Sequence, residues 1–137
     1  SYSRWNACFG VELRDQNITL GSTLKFRYFS KNNIDQIKKL KISLKCFEEC
    51  VYSGPDDSKA YFQEVLFDQE LLNTEKKNVT RTETISFNIP IGKRPTTSST
   101  NGPYIGVRWE IILDGETNKG KKINANFLIK VGPKLTG

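Results

Sequence analysis

Apolar side chains recur at every second position along most of this chain, and that spacing leaves few folds open. Ile123, Ala125, Phe127, Ile129 and Val131 alternate with Asn124, Asn126, Leu128 and Lys130. Ile105, Val107, Trp109, Ile111 and Leu113 alternate with Tyr104, Gly106, Arg108, Glu110 and Ile112. Successive side chains of a strand point to opposite faces, so a period of two buries one sheet face and wets the other. The same pattern runs through Trp5, Ala7, Phe9, Val11 and Leu13, through Leu24, Phe26 and Tyr28, through Leu40, Ile42, Leu44 and Cys46, and through Ile85, Phe87, Ile89 and Ile91. Tyr61, Gln63, Val65 and Phe67 form a weaker example. Seven or more such segments predict an all-β chain, an antiparallel sandwich of two sheets. Helical turns are expected only at 33–37 and 68–72.

Turn chemistry separates the segments. Leu20-Gly21-Ser22 reads as a turn, and Ser53-Gly54-Pro55-Asp56-Asp57 as a breaker. Asp114-Gly115 is expected to start the turn between the last two strands. Pro90 ends a strand or lies on an edge, because it has no N–H to give to a ladder. Residues 92–103 read as one long polar loop. With 137 residues and no boundary signal, residues 1–137 are expected to form a single domain. The absence of Met suggests a segment of a longer or processed chain.

Composition narrows the chemistry. There is no His, which removes Ser-His-Asp, Cys-His and His-metal arrangements within this chain. Glu48-Glu49 are strand neighbours on opposite faces, Asp56-Asp57 belongs to a turn, and no phosphate-binding glycine pattern occurs. No acid, base and nucleophile can be assembled, so no enzyme activity, no cofactor and no metal site is expected. Apolar runs stop at three residues, too short for a membrane-spanning helix. Cys8, Cys46 and Cys50 make an odd set, which points to thiols in a reducing, cytoplasmic compartment. In one straight strand, Cys46 and Cys50 would stand ~13 Å apart, beyond the ~7 Å that a disulfide spans between Cα atoms.

The net charge of +6 is unevenly spread. Residues 1–50 hold 9 basic and 5 acidic side chains, residues 51–75 hold 1 and 6, and residues 76–137 hold 11 and 4. The basic groups are scattered, so no nucleic-acid partner is expected. Lys39, Lys41 and Lys45 fall on one strand face, a candidate stripe for an acidic or phosphorylated peptide of a protein partner; the alternative is an ordinary solvated face. Phe29, Phe47 and Phe62 fall on the nominally outward sides of their strands, as a partner surface or under a cover. Asn17-Ile18-Thr19 and Asn78-Val79-Thr80 match the N-glycosylation pattern, which matters only in the secretory pathway.

The order of these motifs resembles the arrestin-like family. The run from Ile85 to Ile91 with its Pro, the polar loop, and the strand from Gly102 to Leu113 look like that family's strand, Pro/Ser loop and long strand. Upstream, Ile18 to Tyr28 is similar to its early hairpin, and Lys41 to Glu49 to its next core strand. The resemblance implies an immunoglobulin-like sandwich acting in the cytoplasm as a non-enzymatic adaptor or scaffold, in receptor trafficking or cargo sorting, with a second such domain in the full chain. Two alternatives stand beside it: an extracellular immunoglobulin-like domain of a surface or adhesion protein, and a structural component of an assembly.

Overall fold

A computed structural model describes residues 2–5, 9–15, 17–30, 37–56, 58–75, 83–91, 97–100 and 105–134, with Tyr2–Trp5 and several strand-end residues as backbone only. In chain order the strands are β1 (Tyr2–Trp5), β2 (Phe9–Leu13), β3 (Ile18–Thr19), β4 (Thr23–Ser30), β5 (Ile37–Ser53), β6 (Lys59–Glu75), β7 (Glu83–Asn88), β8 (Ser99–Thr100), β9 (Ile105–Thr117), β10 (Lys122–Ile129) and β11 (Val131–Gly132). One antiparallel sheet has the order β1-β2-β4-β7, and a second has β10-β9-β5-β6 with β8 also on β9. A short parallel pair joins β11 to β3. No helix occurs among the described residues.

Alternation becomes burial most plainly in β10, where exposed and buried residues take strict turns. Register then stacks the buried set into rows. Ile129 lies opposite Trp109, Trp109 opposite Cys46, and Cys46 opposite Phe67. The facing sheet contributes Phe9, Val11 and Leu13 from β2 and Leu24, Phe26 and Tyr28 from β4, all nearly inaccessible. Phe67 closes the sandwich at one side, with its ring 5.7 Å from Trp109 and 6.2 Å from Phe87 of the opposite sheet.

The structure departs from the sequence reading at five places. The stretch expected as one strand from Trp5 to Leu13 is divided between β1 and β2, which pair antiparallel with Trp5 opposite Gly10 and Tyr2 opposite Leu13. Residues 68–72 lie inside β6 rather than in a helical turn. Asp114 and Gly115 lie inside β9; a side chain at Gly115 would stand 3.3 Å from the Lys39 carbonyl oxygen, so this glycine permits close approach of β5. The turn comes later, at 118–121, where Gly120 takes a φ of 82°. The polar loop contains β8, which pairs Ser99 with Val107. Of the segment 33–37, only Ile37 is described, and it opens β5.

The largest difference concerns β6. Its register on β5 shifts between Ile42 and Ser43 and again between Cys46 and Phe47, leaving Leu71 and Leu66 as extra residues. Each inserted residue exchanges the two faces of the strand beyond it. Phe67 therefore faces the core, while Tyr61, Gln63 and Val65 share the outer face with Val51, Glu49 and Phe47. The expected inward set of β6 is split by one bulge.

Candidate functional site

The outer face of the second sheet carries Lys39, Lys41 and Lys45 together on β5, as their spacing implied, but register also sets an acid beside each. Lys39 lies opposite Glu116, Lys41 opposite Asp114, and Lys45 opposite both Glu110 and Asp68. The Lys39 ammonium is 3.2 Å from Glu116 and that of Lys45 is 3.7 Å from Asp68. A shallow concavity of 530 Å³ over Lys39, Lys41 and Lys122 is also lined by Asp114 and Glu116. The lysines thus form columns of alternating sign. Cross-strand pairs of opposite charge stabilise such a face modestly, and reversing one member sets like charges opposite each other.

A second polar group lies farther along the same hairpin. Glu49 Oε1 accepts hydrogen bonds from the Tyr61 hydroxyl at 2.7 Å, from the Gln63 amide at 3.0 Å, and from Arg108 Nη1. The Arg108 guanidinium lies 5.1 Å from the centre of the Phe47 ring, which explains why that nominally outward aromatic is 9% exposed. Arg108 Nε is buried 3.2 Å from Glu110 Oε1 without the alignment of a hydrogen bond. Burial pushes the Glu49 carboxyl up, but the bonds from Tyr61, Arg108 and Gln63 outweigh it and hold the pKa below the usual range. The Tyr61 hydroxyl, donating to that carboxylate, is held above its usual range. The group ties β5, β6 and β9 together where the hairpin extends past the core.

Beyond this clamp the hairpin presents an edge. Among the described residues, β6 pairs with β5 on one side and with no strand on the other. Among the described residues, five large hydrophobic side chains are strongly exposed, and three of them, Tyr61 at 63%, Phe62 at 52% and Val65 at 46%, fall within five residues of this strand. Tyr61 and Val65 lie on the outer face, and Phe62, opposite Cys50, on the other. An unpaired strand offering backbone N–H and C=O groups between apolar side chains can accept an extended chain as its next neighbour. Alternation alone marks Phe62 as an outward aromatic and puts Tyr61 and Val65 inside, because the bulge at Leu66 has no composition of its own.

Phe29 is half-buried. Cys46 is buried, Cys50 is partly exposed, and the two are not bonded to each other; Cys8 lies outside the described residues. Asn17 is exposed before β3, and Asn78 lies outside the described residues. Glu48 and Glu49 point to opposite faces, and Asp56 accepts bonds from the Ser58 hydroxyl and backbone N–H within its turn. Among the described residues, no group of three or more His, Cys, Asp or Glu could hold a metal ion, and no helix is long and apolar enough to cross a membrane.

No family model matches the sequence, and no curated protein matches it. The fold does have solved counterparts. Spo0M, a sporulation control protein from Bacillus subtilis, superposes with a TM-score of 0.57 at 12% identity, over 91% of this chain and 49% of that one. The chain spans about half the length of that protein, and at this identity the likeness concerns the fold, which is arrestin-like.

Proposed function

We propose that this chain is a non-enzymatic, cytoplasmic scaffold module of arrestin type that binds a protein partner along the open edge of β6. Its setting is the one the resemblance implies, receptor trafficking or cargo sorting. The observation that carries the proposal is the cluster of Tyr61, Phe62 and Val65 on an edge strand unpaired among the described residues. Contiguous exposed apolar surface marks interaction sites more often than scattered residues do. Main-chain pairing at such an edge supplies affinity, and the flanking side chains supply selectivity. The arrestin-like fold supports the same reading without fixing the partner. The lysine face supports it less well, because each candidate lysine lies opposite an acid.

Photo-cross-linking tests the reading. A photoreactive phenylalanine analogue replaces Phe62 in the full protein, expressed in its own cells, and in a parallel variant replaces exposed Lys38 on β5. Irradiation is expected to give a discrete adduct with another protein from position 62 and none from position 38. No adduct at 62, or the same adduct from both, overturns the assignment of the edge.

A further inference from the structure

We infer that the partner segment is basic as well as apolar: an extended stretch that combines lysine or arginine with β-branched or aromatic residues. The inference rests on the docking edge just proposed and specifies the chemistry of its occupant.

Charge carries the argument. β6 holds Lys59 against Glu64, Asp68, Glu70 and Glu75, and residues 51–75 hold 1 basic and 6 acidic side chains in a chain whose net charge is +6. The acidity is therefore local to β6 and the turn before it, while β5 carries Lys38, Lys39, Lys41 and Lys45. A strand adding to β6 would sit ~4.8 Å from it, with directly opposite Cβ atoms ~5 Å apart. Its side chains would meet Asp68, which Lys45 also faces, and Glu70, which accepts a bond from the Asn73 amide, both exposed and at ion-pair range. The lysines of β5 stand one strand farther in, at about a Debye length, and Lys39 and Lys45 are already beside Glu116 and Asp68. A basic segment gains from this arrangement, and an acidic or phosphorylated one is repelled. A second copy of the chain is disfavoured for the same reason: acids along an edge oppose pairing with an identical edge. The apolar requirement comes from residues 61–65, where Tyr61 and Val65 project on one face and Phe62 on the other.

The probe is a fluorescein-labelled decapeptide of alternating lysine and valine, set against a glutamate–valine and a lysine–serine counterpart. Binding is read by anisotropy, and the site by amide hydrogen exchange. The lysine–valine peptide is expected to bind about tenfold more tightly than the glutamate–valine one at about 0.1 M salt, with the difference largely lost near 1 M. It should slow exchange within residues 59–65. The paired substitutions Gln69→Lys and Glu70→Lys, both at exposed positions, should shrink the preference to about threefold or less. If the glutamate–valine peptide protects β6 equally or better, the inferred chemistry is wrong while edge docking survives. If no peptide of either charge slows exchange in β6, edge docking itself fails. Equal binding of the lysine–serine peptide without protection of β6 reduces the effect to unspecific attraction and overturns the inference. Protection of β6 that depends only on protein concentration would make a second copy the occupant and also overturn it.

Discussion

Glu49 is the residue on which the outer-face hydrogen bonds converge, and its titration gives the most direct handle on them. Its carboxyl is held below the usual range despite burial, because the Tyr61, Arg108 and Gln63 donors favour the ionised form. The stabilisation is thus fully present above the unfolded-state value, about 4.3, and is lost as pH falls through the lower folded-state value. Urea midpoints between about pH 6 and pH 3 should decline less steeply for Glu49→Gln than for the parent chain; parallel declines would mean that the donors do not act on this carboxylate. A double-mutant cycle of Arg108→Ala with Glu49→Ala should return a coupling of about 1 kcal/mol, since the pair is partly exposed. Gly21 tests backbone conformation instead. It holds a φ of 80° and would bring a side chain within 2.7 Å of the flexible end of Ile91, so Gly21→Ala should cost about 1–2 kcal/mol through left-handed strain. An unchanged melting temperature would show that the turn relaxes.

At the scale of the element, the β5–β6 hairpin joins a half that belongs to the core to a half that leaves it. Phe67 anchors the first half between Trp109 and Phe87, and Phe67→Ala should cost about 3 kcal/mol; a loss under about 1 kcal/mol would show that the closing contact is dispensable. Charge reversal of Lys39, Lys41 and Lys45 together would bring acids opposite Glu116, Asp114 and both Glu110 and Asp68, so the triple variant should lose about 1–2 kcal/mol in urea. It is therefore a test of the sheet as much as of any ligand. This hairpin also marks where reading the sequence stops working. Strand content, the buried face of β5 and the shared face of its lysines follow from side-chain alternation, a local property. The bulges do not, because an inserted leucine alters pairing without altering composition. Leu66 and Leu71 fall in the consecutive apolar runs Val65-Leu66-Phe67 and Leu71-Leu72, but Ala60-Tyr61-Phe62 is such a run without a bulge, so the runs do not locate the register shifts. The clamp was illegible for a related reason: Glu49 and Arg108 lie 59 residues apart, and only the β5–β9 register brings them together. Asp114-Gly115 misled because the dipeptide suits a tight turn as well as it suits the close approach of two strands.

For the whole molecule, the likeness to Spo0M at 12% identity fits a fold specified by the placement of apolar faces rather than by particular residues, and such a fold leaves compartment and partner to the surface and the cysteines. The thiols can decide the compartment because β5 restricts how they pair. Cys46 lies in the buried row opposite Trp109, and Cys50 lies four residues on, opposite Phe62 and Ile105. At ~3.3 Å per residue they are about 13 Å apart along one strand, too far for a bond between them. A disulfide within these 137 residues therefore has to use Cys8, and it leaves one of their three thiols behind. Titration of the denatured, unreduced protein should give three thiols per chain if the scaffold works in a reducing cytoplasm. In the native protein, partly exposed Cys50 should react before buried Cys46, because modification requires access to the thiolate. A single titratable thiol, together with a glycan on exposed Asn17, would move the chain to the secretory pathway. The edge of β6 would then serve an extracellular partner, and the cytoplasmic assignment would be withdrawn while edge docking remained open to its own test.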